Sequence, residues 1–231
     1  MFAQEAPVPV TVRAAFEREL RQLQDEVLEL GSMVDKAIER SVEALKRLDH
    51  AAARQVCTDD HLINEKRFQI EERCIELIAT QQPMARDLRR LVAVLNIIVE
   101  LERMGDYAAG TAKIVLLHGD RPLLKPLIDV PRMAEKARDM LRRSLDALVE
   151  RDAAAAKRIA AEDDEVDALY NLVYHELITY MIRDPSTVDR ATWLLWVAHN
   201  LERIADRVTN ICERVVYEVT GKMEEMNVSK Y

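Results

Sequence analysis

Acidic residues recur in matched pairs: Glu102 with Asp106, and Glu202 with Asp206, each pair four residues apart. On a helix that spacing puts both carboxylates on one face, ~5–6 Å apart at Cβ. Two such charges repel by roughly 0.8 kcal/mol in water and several-fold more when partly desolvated. A larger cluster raises its own pKa values, recruits arginines or binds cations. Oxygen-only ligands favour hard cations such as Mg²⁺, Ca²⁺, Mn²⁺ or iron, singly or as a multinuclear cluster.

Hairpin geometry brings further acids to the same level, because antiparallel helices pair residues equidistant from their turn. About a turn near Asp184, Asp163 lies 21 residues before and Asp206 22 after, while Asp167 lies 17 before and Glu202 18 after. About a turn near Arg151, Glu135 and Asp167 are each 16 residues away, and Asp139 and Asp163 each 12. Three acid pairs of one bundle therefore share a level: Glu135/Asp139, Asp163/Asp167 and Glu202/Asp206. A reduced set accompanies Glu102 and Asp106, with Asp60 and Asn64 in place of the second pair. Lys36 stands where the fuller set has Asp139, with Asp35 the nearest acid. These ten positions are the candidate metal ligands. The competing reading is ordinary surface pairing, Arg103 with Asp106 and Arg203 with Asp206 at i,i+3.

The elements that carry these residues are helices. Only 5 glycines in 231 residues argue against turn-rich sheet folds, and apolar residues recur at three- and four-residue spacing with no alternating pattern to compete. Six long helices follow: about Thr11–Leu48; Asp49 as N-cap to Thr80; Pro83, a first-turn proline, to His118; a fourth ending near Glu150; Asp152 as N-cap to Arg183; and Pro185, with Ser186-x-x-Asp189 as a capping box, to Lys222. Residues 119–131 hold three prolines and read as a linker between bundles 12–118 and 132–222. Residues 1–11 read as an arm and 223–231 as a frayed tail. The fold class is all-α, two tandem three-helix bundles.

The two halves repeat each other. Ser41-Val-Glu-Ala-Leu45 matches Ser144-Leu-Asp-Ala-Leu148, and Asp49 and Asp60 match Asp152 and Asp163 at the same offset of 103. After a three-residue difference in loop length, Leu101-Glu-Arg-Met-Gly-Asp106 matches Leu201-Glu-Arg-Ile-Ala-Asp206 at an offset of 100. The third helix of each copy carries a bundle seam, Val94, Ile98, Leu101, Gly105, Ala108, Ala112 and Val115 in one, and Leu194, Ala198, Leu201, Ala205, Val208, Cys212, Val215 and Val219 in the other. Each motif carboxylate lies one residue beyond a seam position, about 100° round the helix, and so flanks the core.

Several functions are disfavoured. A net charge of −8 speaks against nucleic acid and anionic lipid. No apolar run approaches the ~18 residues of a membrane span, and the first residues lack a signal-peptide core. There is no Gly-rich phosphate loop, no zinc-protease His pair after His175-Glu176 and no Glu-x-x-His of di-iron bundles. Cys57, Cys74 and Cys212 read as reduced core residues, which suits the cytoplasm. Trp193 and Trp196 read as packing residues, with a partner surface as the alternative. His199 shares the Glu202/Asp206 face and could add a nitrogen ligand there, but it is matched by Val99 and reads first as a boundary residue.

From Thr11 to Lys222 the chain resembles the PhoU family. The resemblance rests on the two Leu-Glu-Arg-x-x-Asp motifs at 101–106 and 201–206, on Asp87-Leu88-Arg89 opening the third helix, and on Asp60-x-x-Ile63-Asn64 in the second. It implies two three-helix bundles that bind metal at E(D)-x-x-x-D motifs, here Glu102/Asp106 and Glu202/Asp206, and by pattern Asp163/Asp167 and Glu135/Asp139. The implied ions are divalent or iron cations (Fe, Mn, Mg or Zn). It further implies a cytoplasmic, non-enzymatic homodimer, peripheral to the inner membrane through its partners. Such a protein represses phosphate-starvation signalling by linking the phosphate ABC transporter ATPase to a sensor histidine kinase. The alternatives are a metal-dependent hydrolase or oxidase on the same carboxylates, and a metal-free helical adaptor.

Overall fold

The computed structural model describes residues 10–119 and 121–226. The segments called arm and tail therefore fall largely outside the described residues, as do Lys230 and Tyr231. The chain is all-α: α1 (Val10–Arg47), α2 (His50–Gln81), α3 (Arg86–His118), α4 (Asp129–Glu150), α5 (Ala153–Ala160), α6 (Asp163–Arg183), a 3₁₀ turn (Pro185–Thr187) and α7 (Val188–Thr220).

The repeat seen in the residues is also written in the backbone. Leu48 and Arg151, 103 apart, both take left-handed φ values, 50° and 58°, at the ends of α1 and α4. The next residue caps the following helix in each copy. Asp49 Oδ1 accepts from the amides of Ala51 and Ala52 at 3.0 and 2.9 Å, and Asp152 Oδ1 from those of Ala154 and Ala155 at 2.9 and 2.8 Å. Two turns earlier Ser41 donates to the Ile38 carbonyl at 2.8 Å and Ser144 to that of Leu141 at 2.7 Å.

Within α1, Phe16, Leu20, Leu23, Val27, Leu30 and Val34 follow one another at four- and three-residue steps, and all are buried. That is the seam that packs α1 on its neighbours. Both expected third-helix stripes are buried too, except Val219, which is 38% exposed near the end of α7. A second stripe escaped the sequence reading. Ile97, Met104 and Ile114 on α3, and Val197, Ile204 and Ile211 on α7, are also buried. Each copy's third helix thus buries two faces, one in its own bundle and one against the other copy, so a single core runs through both bundles. The backbones come close where a Cβ on Gly110 would lie 3.1 Å from Asn200 Nδ2.

Three expected helix boundaries need correction. The fifth helix is not continuous: α5 ends at Ala160 and α6 starts at Asp163. Glu162 sits in the break and is held from α4 by Arg143 at 2.9 Å and Lys136 at 2.7 Å. Its amide bonds to Ile159 O at 3.0 Å, a 3₁₀-type step that tightens the turn. The three acids that follow, Asp163, Asp164 and Glu165, favour a fresh helix N-terminus. Second, α3 begins at Arg86, not Pro83. Gln82 ends α2 with φ 45° and ψ 54°, so Pro83 follows a left-handed cap and lies in the connection. Third, the cap ahead of α7 is Asp184, whose Oδ1 accepts from the Ser186 amide at 3.0 Å, and Pro185 opens a 3₁₀ turn in place of the Ser186–Asp189 box.

Candidate metal centres

Helix α6 meets α7 and α2 meets α3, so each copy sets acids from its second rod against the motif pair of its third. In the second copy Asp163, Asp167, Glu202 and Asp206 come together. Asp163 is the first residue of α6 and is buried. Burial, then the charges of Asp167, Asp206 and Glu202, push its carboxyl up to about 7. Glu202 is likewise pushed to about 7 by burial and Asp206, with Asp167 adding to the shift and Arg203 opposing it. Glu202 Oε2 is enclosed with no hydrogen-bond partner among the described residues, and His199 Nδ1 lies 3.5 Å from it. His199 in turn borders Tyr170 and Trp196, and burial, then Arg203, lowers its pKa while Asp206 opposes the shift.

In the first copy Asp60, Glu102 and Asp106 come together in a more open setting. Burial and then Asp106 raise the pKa of both Asp60 and Glu102. Lys113 opposes the rise at Asp60, and Arg67 and Arg103 oppose it at Glu102. Asn64 lies one turn beyond Asp60 on α2, and its amide donates to the Asp60 carbonyl at 3.3 Å. Gly105 brings the helices close here: a Cβ on it would lie 3.0 Å from Ile63 Cδ1 and 3.7 Å from Asp60 Oδ1.

The α4 pair stands apart from this arrangement. Asp139 Oδ2 is 2.9 Å from Arg143 Nε, Glu135 is exposed, and neither is among the charges that weigh most on Asp163 or Glu202. A hairpin count gives a level along the helix and does not fix the side of it. In the first copy Asp35 faces the other bundle, accepting from Arg138 Nε at 2.8 Å and Nη2 at 3.0 Å. Lys36 lines an open groove with Arg40, Asp59 and Asp60. The bases are also unevenly placed. Arg203 donates to Asp206 at 2.9 Å, whereas Arg103 approaches Glu100 at 3.5 Å. The sequence reading missed Arg67, which faces Glu102 from α2. A hairpin count about the connection between α2 and α3, of the kind made for the second copy, had the means to find it.

These carboxylates offer the oxygen donors a hard cation takes, and the enclosed Glu202 Oε2 is an acceptor without a donor. In the described positions no three His, Cys, Asp or Glu side chains converge at ligand geometry. The donors suit a cation, and closing around one requires side-chain rotation. Elsewhere, burial pushes the thiols of Cys74 and Cys212 up to about 12. Trp193 packs beside His118, with ring centroids 5.5 Å apart, but Trp196 is 58% exposed, a correction to its reading as a packing residue.

The family model described as the PhoU domain matches twice, at residues 27–115 and 130–215. Among curated relatives, the "Phosphate-specific transport system accessory protein PhoU homolog" of Clostridium acetobutylicum is 39% identical over 93% of this chain and 99% of its own. The protein of the same name from Rhizobium meliloti is 37% identical over 91% of this chain and 89% of its own. Crystal structures of the phosphate transport system regulatory protein PhoU from Streptococcus pneumoniae and of PhoU from Pseudomonas aeruginosa each superpose with a TM-score of 0.85 at 33% identity. They cover 91% and 90% of this chain, and 99% and 100% of their own.

Proposed function

The chain belongs to the PhoU family, and on that premise we propose that it is an accessory and regulatory protein of phosphate uptake that works through cations held at its two carboxylate clusters. In this reading Asp163, Asp167, Glu202 and Asp206 form the stronger site, and Asp60, Glu102 and Asp106 the weaker. Asn64 is at most a peripheral ligand, Asp139 pairs with Arg143 within α4, and Glu135 stands exposed outside the cluster. Bound Mn²⁺, Mg²⁺, Fe or Zn²⁺ supplies positive charge on a net acidic surface, and so permits contact with anionic partners.

The carrying observation is the repeated meeting of second-rod and third-rod acids, in which Asp163 and Glu202 are pushed to about 7 by burial and by one another's neighbours. Cations relieve that repulsion. The role is regulatory: the protein carries no reaction, bridges the transporter ATPase and a sensor histidine kinase on the cytoplasmic side, represses starvation signalling, and acts as a homodimer. No helix among the described residues is long and apolar enough to cross a membrane, which is consistent with a peripheral place beside a transporter.

The test is capture of the purified transporter ATPase and kinase by the full chain, with Mn²⁺ or with chelator, beside Glu202→Gln/Asp206→Asn. Cation-dependent capture that the double variant loses supports the reading; capture indifferent to both contradicts the cation's part in it. A second reading, the metal-free adaptor, is favoured by the Arg203–Asp206 ion pair, which already neutralises one carboxylate. Unchanged stability on adding Mn²⁺, Mg²⁺ or Zn²⁺ selects it.

A further inference from the structure

A different chemistry gathers where the start of α3 meets the end of α7. Arg86, Arg89 and Arg90 occupy the first turns of α3 at i, i+3 and i+4, which is one face of the helix. Glu218, in the last turn of α7, is buried at that junction. Its Oε1 is 3.4 Å from Arg90 Nε and 3.4 Å from the Nε of Arg151, the left-handed cap of α4. The Arg89 guanidinium lies against Gly221, where a Cβ would be 3.6 Å from its Cζ.

Glu218 thus pairs with two of the four guanidinium groups, those of Arg90 and Arg151. Arg89 Nε is enclosed with no hydrogen-bond partner, and Arg86 has neither ion pair nor hydrogen bond among the described residues. Of the adjoining acids, Asp87 is paired with Arg13, and Glu17 with Arg13 and, at 4.0 Å, with Arg90 Nη1. The N-cap of α3, Ala85, offers no side-chain cap, so the helix dipole adds positive potential to the same spot. The pKa of Arg151 is lowered by burial first; Glu218 and Asp87 pull it back up, while Arg86 and Arg90 add to the fall.

We propose that Arg86, Arg89, Arg90 and Arg151, at the α3/α7 junction, form a binding site for a tetrahedral oxyanion of the phosphate class. Guanidinium forks match phosphate oxygens in bidentate fashion, and convergence from two helices suits a tetrahedral ligand better than a flat carboxylate. Glu218 is the internal anion that keeps the cluster folded when the site is empty. The site is separate from the carboxylate clusters: Glu218 lies twelve residues beyond Asp206, about 18 Å along α7.

The test is calorimetric titration of the full chain with inorganic phosphate in chelator at constant ionic strength, beside chloride and phenyl phosphate. Saturable phosphate binding is expected, absent with chloride. Arg86→Gln/Arg89→Gln, which leaves both Glu218 ion pairs in place, weakens it at least tenfold. Glu218→Gln, which removes the competing carboxylate, tightens it several-fold, and Glu202→Gln/Asp206→Asn leaves it unchanged. Tighter binding of the monoester assigns the site to a phosphoryl group on a larger molecule, and tighter binding of inorganic phosphate to the free ion. Absence of saturable binding, or binding indifferent to both Arg86→Gln/Arg89→Gln and Glu218→Gln, overturns the proposal. Because chelator is present throughout, these outcomes are independent of whether the carboxylate clusters hold cations.

Discussion

Arg203 donates to Asp206 at 2.9 Å across one turn of α7, while its repeat counterpart Arg103 approaches Glu100 instead of Asp106. The two copies thus treat the same motif differently. One motif aspartate is held by a base; the other, Asp106, is exposed. Both the metal reading and its rival turn on this pair, since Arg203 offers Asp206 the same neutralisation that a cation would.

Removing that competitor is expected to favour the cation. In Arg203→Gln, Mn²⁺ affinity rises several-fold in a titration of chelator-stripped protein, because one positive charge beside the site is gone. Arg103→Gln changes affinity less, as Arg103 is half exposed and turned toward Glu100. Equal effects of the two substitutions would show that the pairing geometry is irrelevant.

The duplicated caps give a stability test. Asp49→Ala and Asp152→Ala each remove a carboxylate that accepts from two helix-start amides, and each is expected to cost about 1 kcal/mol in urea unfolding. The caps lie in different copies and share no partner, so the double variant is expected to lose the sum within about 0.5 kcal/mol.

Those caps were legible in the sequence because a cap is local: the Asp and the amides it serves are neighbours in the chain. The seams from Val94 to Val115 and from Leu194 to Val215 were legible for the same reason, as helical periodicity. The second buried stripe, Ile97 with Met104 and Val197 with Ile204, was not, because only packing between copies reveals which second face is covered. The break at Glu162 was hidden too. It comes from Arg143 and Lys136 on α4, nearly twenty residues or more away, and no local breaker marks it. At the site, counting from the turns brought Asp163 to Asp206 and Asp167 to Glu202, but set Glu135 and Asp139 among them as well. Counting fixes height on a rod, whereas Arg143 fixes where Asp139 turns.

His118 gives stability a pH dependence. It is fully buried at the end of α3, neither ring nitrogen makes a well-formed hydrogen bond, and burial lowers its pKa; the Arg121 backbone opposes the shift, while the charges of Arg121, Arg190 and His50 add to it. Trp193 covers one side. The folded state resists a proton that the unfolded chain accepts near pH 6.5, so stability is full above that pH and falls below it. Urea unfolding from pH 8 to 5 is expected to show this loss, and His118→Leu to flatten it. An unchanged slope in the variant would assign the loss to other groups.

Contact between the copies is tight at Gly31 on α1, where a Cβ would lie 2.2 Å from Leu145 Cδ1 on α4. Alanine there asks only the end of Leu145 to move, whereas Gly31→Val forces the helices apart. The valine variant is expected to lose about 1–3 kcal/mol in urea unfolding, with helical content retained by circular dichroism. A neutral valine would mean that α1 and α4 are not held at this distance.

The most direct measurement is the Mn²⁺ stoichiometry of the chelator-stripped full chain by titration, in the wild type and in two double variants. The wild type is expected to show two classes of saturable site. Glu202→Gln/Asp206→Asn removes the tighter class and Glu102→Gln/Asp106→Asn the weaker. Wild-type protein that takes up no Mn²⁺, or the same uptake in all three proteins, would contradict the proposal that these carboxylates hold cations.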